Sequence, residues 1–185
     1  MKRWLLRIAV VLSALAVAAS GSWYIWREFY SADHFRAAKE ADDAAKVYRL
    51  LRWGARADEG ENLLHWAAQA GHPAVAKLLL ANGADPNAKK GGGWTPLHLT
   101  ATANNPAVAK SLLANGAKVD AVIIDGRTPL HLAVTNDSPA IAKLLLSNGA
   151  DPNAKAKDGS IPLDRMPELA ELVKKLEADK AGTTP

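Results

Sequence analysis

The sequence predicts an all-α solenoid of stacked helix pairs, and three observations carry that expectation. Asn62-Leu63-Leu64-His65, Thr95-Pro96-Leu97-His98 and Thr128-Pro129-Leu130-His131 follow one another at a spacing of 33 residues. Gly83, Gly116 and Gly149 keep the same spacing, as do Pro73, Pro106 and Pro139. Between these marks, apolar residues recur at the i, i+3, i+4 spacing of a helix that buries one face. A fixed period of roughly 20–50 residues marks an array whose units each hide their apolar face on a neighbour.

The unit spelled by Asp125 to Asn153, DGRTPLHLAVTNDSPAIAKLLLSNGADPN, with its TPLH and GADxN signatures, resembles the ankyrin repeat. The resemblance covers about Phe35 to Leu176. It implies an ankyrin-repeat solenoid, with helix-turn-helix units joined by short β-hairpin fingers. It also implies binding to other proteins, without catalysis.

In chain order, residues 1–7 form a basic segment with three positive charges, Lys2, Arg3 and Arg7. Ile8 to Trp26 then runs 19 residues without a charge, which as a helix spans about 28 Å, close to the hydrocarbon core of a bilayer. Trp4 stands at one end and Trp23, Tyr24 and Trp26 at the other, where aromatic rings favour the two interfaces. Residues 8–26 are therefore expected to be a transmembrane signal anchor of bacterial type, amino terminus inside and repeats outside. The rival is a cleaved signal peptide, with Ala16-Val17-Ala18 as an A-x-A site. Cleavage there leaves a bare Trp-Tyr-Ile-Trp cluster on a soluble protein, which favours the anchor. Either reading exports the domain, to the inner membrane facing the periplasm or to the periplasm itself.

Residues 27–34 read as a connector, and 35–56 as an N-terminal capping helix pair that lacks TPLH. Val47, Leu50, Leu51 and Trp53 give it an apolar face, and Arg36, Lys39, Glu40, Lys46, Arg49 and Arg52 a solvated one. Repeats follow over 57–88, 89–121 and 122–154. Thr95 and Thr128 sit at N-cap positions, with Pro96 and Pro129 at the first helical position, where a missing amide costs nothing; Asn62-Leu63 is a weaker version. His72-Pro73, Asn105-Pro106 and Ser138-Pro139 open the second helices in the same way, and glycine ends each of them. Leu78-Leu79, Leu112-Leu113 and Leu144-Leu145, with Val75, Val108 and Ile141, are the expected buried stripe. Residues 155–178 form a degenerate C-terminal cap in which Pro167 cuts the first helix short. An amphipathic helix over Glu168–Ala178 closes it, with Lys174, Lys175 and Glu177 toward water. Residues 179–185 are expected to fray.

Composition narrows the function. Three of the 23 basic residues lie within residues 1–7, and from Arg27 onward 20 face 19 acidic residues. The repeats are thus near neutral and nucleic acid is not expected as a partner. The chain has no cysteine, which removes disulfides, thiolate metal sites and cysteine nucleophiles. His65, His98 and His131 stand one repeat apart, roughly 8–10 Å, too far to share a metal that needs contacts near 2.0–2.1 Å. In the ankyrin pattern such a histidine bridges its own unit and the adjacent hairpin. Asp85, Asp120 and Asp151 belong to the GAD turn or its variant, where carboxylates satisfy backbone amides. Gly91-Gly92-Gly93 lacks the GK[ST] of a phosphate loop and is expected to make a mobile finger tip. No cofactor, metal or catalytic residue is expected.

The departures that point to binding lie at the finger tips. Val122, Ile123 and Ile124 put aliphatic side chains where polar ones are usual, and with Trp94 at a freely variable position and Arg127 following they form a candidate protein-binding patch. The plain alternative is that they pack on each other and stiffen the array. Gln69, Thr102, Thr135 and Asn136, with Asp137, are expected to line the concave floor. The function expected is that of an exported, membrane-tethered monomer that holds or regulates another protein. An inhibitor or immunity protein that blocks a toxin or hydrolase, and an accessory factor for an exported enzyme, remain as alternatives.

Overall fold

The computed structural model describes Ala45 and residues 63–182. The expected anchor at 8–26, the connector at 27–34, the helix pair at 35–56 and the cap residue Asn62 lie outside the described residues. Six short α-helices alternate along the repeats: α1 (Leu63–Ala70), α2 (Pro73–Ala81), α3 (Pro96–Ala103), α4 (Pro106–Ala114), α5 (Pro129–Thr135) and α6 (Pro139–Ser147). Gly91–Gly93 form a short 3-10 segment before α3, and the 3-10 turn at Pro162–Arg165 and the longer α7 (Glu168–Gly182) complete the described chain.

Helices of 7–9 residues fall below the length of about 12–15 at which a helix persists alone in water. Stacking makes up the deficit. The first helices pack in the series α1, α3, α5 and the 3-10 turn, and the second helices in the series α2, α4, α6 and α7. Within each unit the two helices also pack on one another. Small residues set the spacing of the first layer: Ala67, Thr100 and Ala133 occupy one column and are fully buried. Thr100 fits this apolar column because its hydroxyl donates to the Leu97 carbonyl at 2.8 Å.

The helix starts fall where the sequence places them. Thr95 and Thr128 are N-caps in extended geometry, each followed by proline. The backbone N–H of each threonine donates to Nδ1 of the histidine three residues on, at 3.2 Å for His98 and 3.1 Å for His131. The second helices also start at the predicted prolines, but their cap residues do not cap by side chain. Asn105 instead turns back to the preceding unit, donating to the Ala68 and Gln69 carbonyls at 2.8 and 3.1 Å. These are last-turn carbonyls of α1 that have no partner within the helix. At the other end, Gly83, Gly116 and Gly149 take φ of 85°, 83° and 86°. The next amide, of Ala84, Ala117 or Ala150, bonds back to Leu79, Leu112 or Leu145 and closes the helix.

The buried stripe differs from the expected one in register. Val75, Val108, Ile141, Leu79, Leu112 and Leu145 are buried as expected, but Leu78 and Leu144 are only half-buried, and Leu80 and Leu146 take the inner place. In the middle unit Ser111 occupies the position of Leu78 and Leu144, with its hydroxyl bonded to the Ala107 carbonyl at 3.1 Å. A run of three leucines hides this register, because each adjacent pair looks equally apolar. The truncated last unit appears as the 3-10 turn at 162–165, with the Ile161 amide held by Asp164 at 3.3 Å. The closing helix runs to Gly182, past the residue where it was expected to stop, so Asp179 to Gly182 are helical.

Candidate interaction surface

Where short β-hairpin fingers were expected, three closed turns project from the junctions between units. The described residues hold no strand, only an isolated β-bridge between Lys90 and Trp94, and one set of backbone bonds builds all three fingers. The amides of Lys90, Ile123 and Ala156 donate to the carbonyls of Trp94, Arg127 and Ser160 at 2.9–3.1 Å. Inside each, the amide of Gly93, Gly126 or Gly159 returns to Lys90, Ile123 or Ala156. Consecutive fingers are joined by one bond each, Ile124 N–H to the Gly92 carbonyl at 2.8 Å and Lys157 N–H to the Asp125 carbonyl at 2.9 Å. Gly126 sits at the second junction with φ of 83°, and a Cβ there would lie 2.9 Å from the Lys157 nitrogen. Only glycine fits that approach.

The triglycine tip, expected to be mobile, is a closed turn held by the same scheme. It lacks only the side-chain bond its neighbours have, in which Asp125 and Asp158 accept from the amides of Arg127 and Ser160, each at 3.0 Å.

The repeat histidines tie the fingers to the helices. Nε2 of His65 donates to the Trp94 carbonyl at 3.0 Å, and Nε2 of His131 to the Ser160 carbonyl at 3.2 Å. His98 faces the Arg127 carbonyl, which favours its charged form, but its Nε2 makes no hydrogen bond. Burial dominates and pushes His98 down to about 4, and it lowers His65 as well. His98 is therefore neutral at physiological pH, as suits a ring whose Nδ1 accepts from the Thr95 amide. Asp85, Asp120 and Asp151 act as expected, accepting from the amides of Asn87 (2.9 Å), Asp151 (3.1 Å) and Asn153 (2.8 Å). Asn87 reaches the next unit as well, donating to Gly116 O and accepting from Lys118 N–H.

The structure divides the candidate surface residues. Ile124 is 73% exposed and Val122 is 51% exposed, and these are the large hydrophobic side chains the described residues leave open. Trp94 is half-buried, its ring edge-on to His98 with centroids 6.0 Å apart. Ile123 is a correction: at 6% exposure it points inward and belongs to the core, because alternate residues of a hairpin arm face opposite sides. Gln69, Thr102, Thr135 and Asn136 are exposed along the C-terminal ends of the first helices. Two of them are already engaged, with Thr102 Oγ1 donating to the His98 carbonyl and Asn136 Nδ2 to the Leu132 carbonyl.

Arg127 joins two fingers, at 3.6 Å from Asp125 and 3.5 Å from Asp158. Asp158 is held well below the usual carboxylate range, at about 2, first by the Ser160 hydroxyl and amide and then by Arg127. Thr135 and Arg127 share a shallow concavity with Asp158, Ile161, Asp164 and Arg165 at the truncated last unit. The last four were missed by sequence reasoning. The sequence offered only the early Pro167, whose shortening of the helix opens that space.

A family profile described as Ankyrin repeats (3 copies) matches residues 34–123 and 64–156, together about two-thirds of the chain. A stretch of 64 residues is 41% identical to the 2-5A-dependent ribonuclease of Mus musculus, covering 32% of this chain and 9% of that protein. The likeness to the ribonuclease lies in its ankyrin repeats alone. Ankyrin repeats are protein-interaction modules and are in general non-catalytic. With its recurring fingers, helix pairs and bridging histidines, the chain belongs to the ankyrin-repeat family.

Proposed function

We propose that this protein captures a partner protein on its row of finger tips and does no chemistry on it. One observation carries the reading. Among the described side chains the large apolar ones are buried or half-buried, except Val122 and Ile124, which stand in water on one finger beside half-buried Trp94. Exposed apolar groups on a rigid, hydrogen-bonded support suit recognition, because little ordering is needed on binding. The reading includes a tether: residues 8–26 hold the repeats at the outer face of the inner membrane and raise their effective concentration for membrane-proximal partners. The charge-free run and its aromatic flanks support this part. Among the described residues no helix is long and apolar enough to cross a membrane.

The test is photo-cross-linking in cells from a probe placed at Ile124, with Lys77 on the opposite helix layer as control. One discrete adduct at Ile124, absent at Lys77 and lost on adding Val122→Ser, is the expected result. Adducts from Thr102 or Thr135 with none from Ile124 would move the site to the concave floor. Protease access to the repeats in intact spheroplasts, with the amino-terminal residue of the mature protein, decides tether against cleavage.

A further inference from the structure

The finger row carries a charge pattern as well as an apolar one. Because the three fingers share one bonding scheme, residues 89, 122 and 155 hold one structural position, just before the bonded pair, and 91, 124 and 157 another, just after its first member. The first row reads Lys, Val, Lys and the second Gly, Ile, Lys. Lys89, Lys90, Lys155 and Lys157 are exposed, and among the described residues none of them has an ion pair. The two acidic residues of the tips, Asp125 and Asp158, are already taken by Arg127 and by backbone amides. The field of Lys90 is felt inward, where it disfavours a charge on His65, while at His98 the opposing field of Asp125 outweighs that of Lys89. Among the described residues the tips therefore present unpaired positive charge on each side of an apolar centre.

We propose that this row is a docking strip for an extended acidic segment of a partner protein, with the pattern acid-x-apolar-x-apolar-x-acid. This deepens the binding reading above and rests on it. Units stack at roughly 8–10 Å, so Lys89 to Lys155 spans two steps, roughly 20 Å. An extended chain rises about 3.4 Å per residue and shows alternate residues to one face. Acids six positions apart thus match the two lysine ends, with the apolar residues between them over Val122 and Ile124. Opposite charge at the ends sets register and speeds encounter, while the apolar centre supplies the hold.

The test uses the full-length chain in neutral detergent. The protein has no cysteine, so Gly91→Cys gives one thiol for an environment-sensitive bimane. Position 91 has open space around it and an ordinary φ, so the label does not disturb the fold. The probe is the peptide Asp-Ser-Leu-Ser-Leu-Ser-Asp, compared with a version whose ends are lysine. The expected result is a saturable emission shift with the acidic peptide alone. Lys89→Glu with Lys155→Glu and Lys157→Glu weakens it about tenfold or more and turns the preference toward the lysine-ended peptide. Raising salt from about 0.05 to 0.5 M weakens the wild-type complex. Equal binding of both peptides, binding of neither, or an emission shift on phosphatidylserine-doped micelles without peptide overturns the proposal, the last in favour of a lipid surface. If the cross-link from Ile124 persists while the acidic peptide fails, the strip chemistry is wrong and the binding reading stands. If both fail, both readings fall.

Discussion

The helix stack and the finger row are built from the same repeats but held together by different forces. In the stack, side chains do the holding. Leu79, Leu97, Leu112, Leu130, Ile141 and Leu145 are fully buried, one in each of α2 to α5 and two in α6. In the fingers the backbone does it, through the recurring 90–94, 123–127 and 156–160 bonds and the bonds that link consecutive tips. A backbone scheme places few demands on side chains, so Lys89, Val122 and Lys155 can differ at one position without altering the fold. The comparison separates where the molecule keeps its stability from where it can vary its recognition.

The largest effect expected is in the stack. Leu112→Ala should cost about 3–4 kcal/mol, since its side chain is fully buried and neighbouring helices cannot collapse into the gap. Leu113→Ala, half-buried beside it, should cost about 1 kcal/mol. Chemical denaturation of the pair measures the difference, and equal losses would mean that Leu112 does not hold the inner place in the stack.

The buried histidines lie between the two regions and make the fold sensitive to acid. Folded His98 titrates at about 4, against 6.5 for the exposed group, because burial opposes its charge. Between those values the unfolded chain takes up a proton that the folded chain refuses. Stability is therefore whole above pH 6.5 and falls as pH drops toward 4, by about 3 kcal/mol from this residue. The check is the slope of melting temperature against pH in that window, which His98→Gln should flatten. An unchanged slope would place the acid sensitivity elsewhere.

One finger residue should break the rule that fingers tolerate change. Gly126→Ala is expected to cost about 2–3 kcal/mol, from a φ of 83° and the crowding against Lys157 N. Gly92→Ala has a similar φ, but the nearest atoms to its Cβ belong to the side chains of Trp94 and Ile124, and about 1 kcal/mol is expected. Thermal melts of the two variants show whether the tie to the next finger or the turn itself sets the cost.

The same division explains what could be read from the sequence. Caps, proline starts and glycine stops are local, so Thr95, Thr128, Pro96, Pro129 and Gly83, Gly116 and Gly149 were legible one by one. The leucine register was not, because in Leu78-Leu79-Leu80 it is the neighbouring helix that selects the inner pair. The role of Asn105 was missed for a related reason: its partners at Ala68 and Gln69 are one unit away. On the surface, Ile123 was misplaced among its exposed neighbours because the pairing of finger arms, which fixes its face, involves Arg127 four residues later. Val122 and Ile124 were visible as departures from a polar norm, whereas the lysines around them look like ordinary surface residues in the sequence. Their arrangement as a row needed the shared hairpin geometry.

The smallest effect on stability should come with the largest effect on binding, and that contrast is the sharpest test of the comparison. Ile124→Ser removes a side chain that is 73% exposed, so the unfolding free energy should move by no more than about 0.5 kcal/mol. The same change removes half of the apolar centre of the strip, and truncating a central contact of an interface commonly costs more than about 1 kcal/mol of binding, here a Kd raised about tenfold. Val122→Ser, at 51% exposure, should act in the same direction and more weakly. Paired melts and peptide titrations on the two variants make the measurement. If Ile124→Ser lowers stability and binding in proportion, the tip is part of the packing and the two regions are one. If binding alone falls, the exposed isoleucine is kept in water for the partner, and the helices beneath it serve to hold it there.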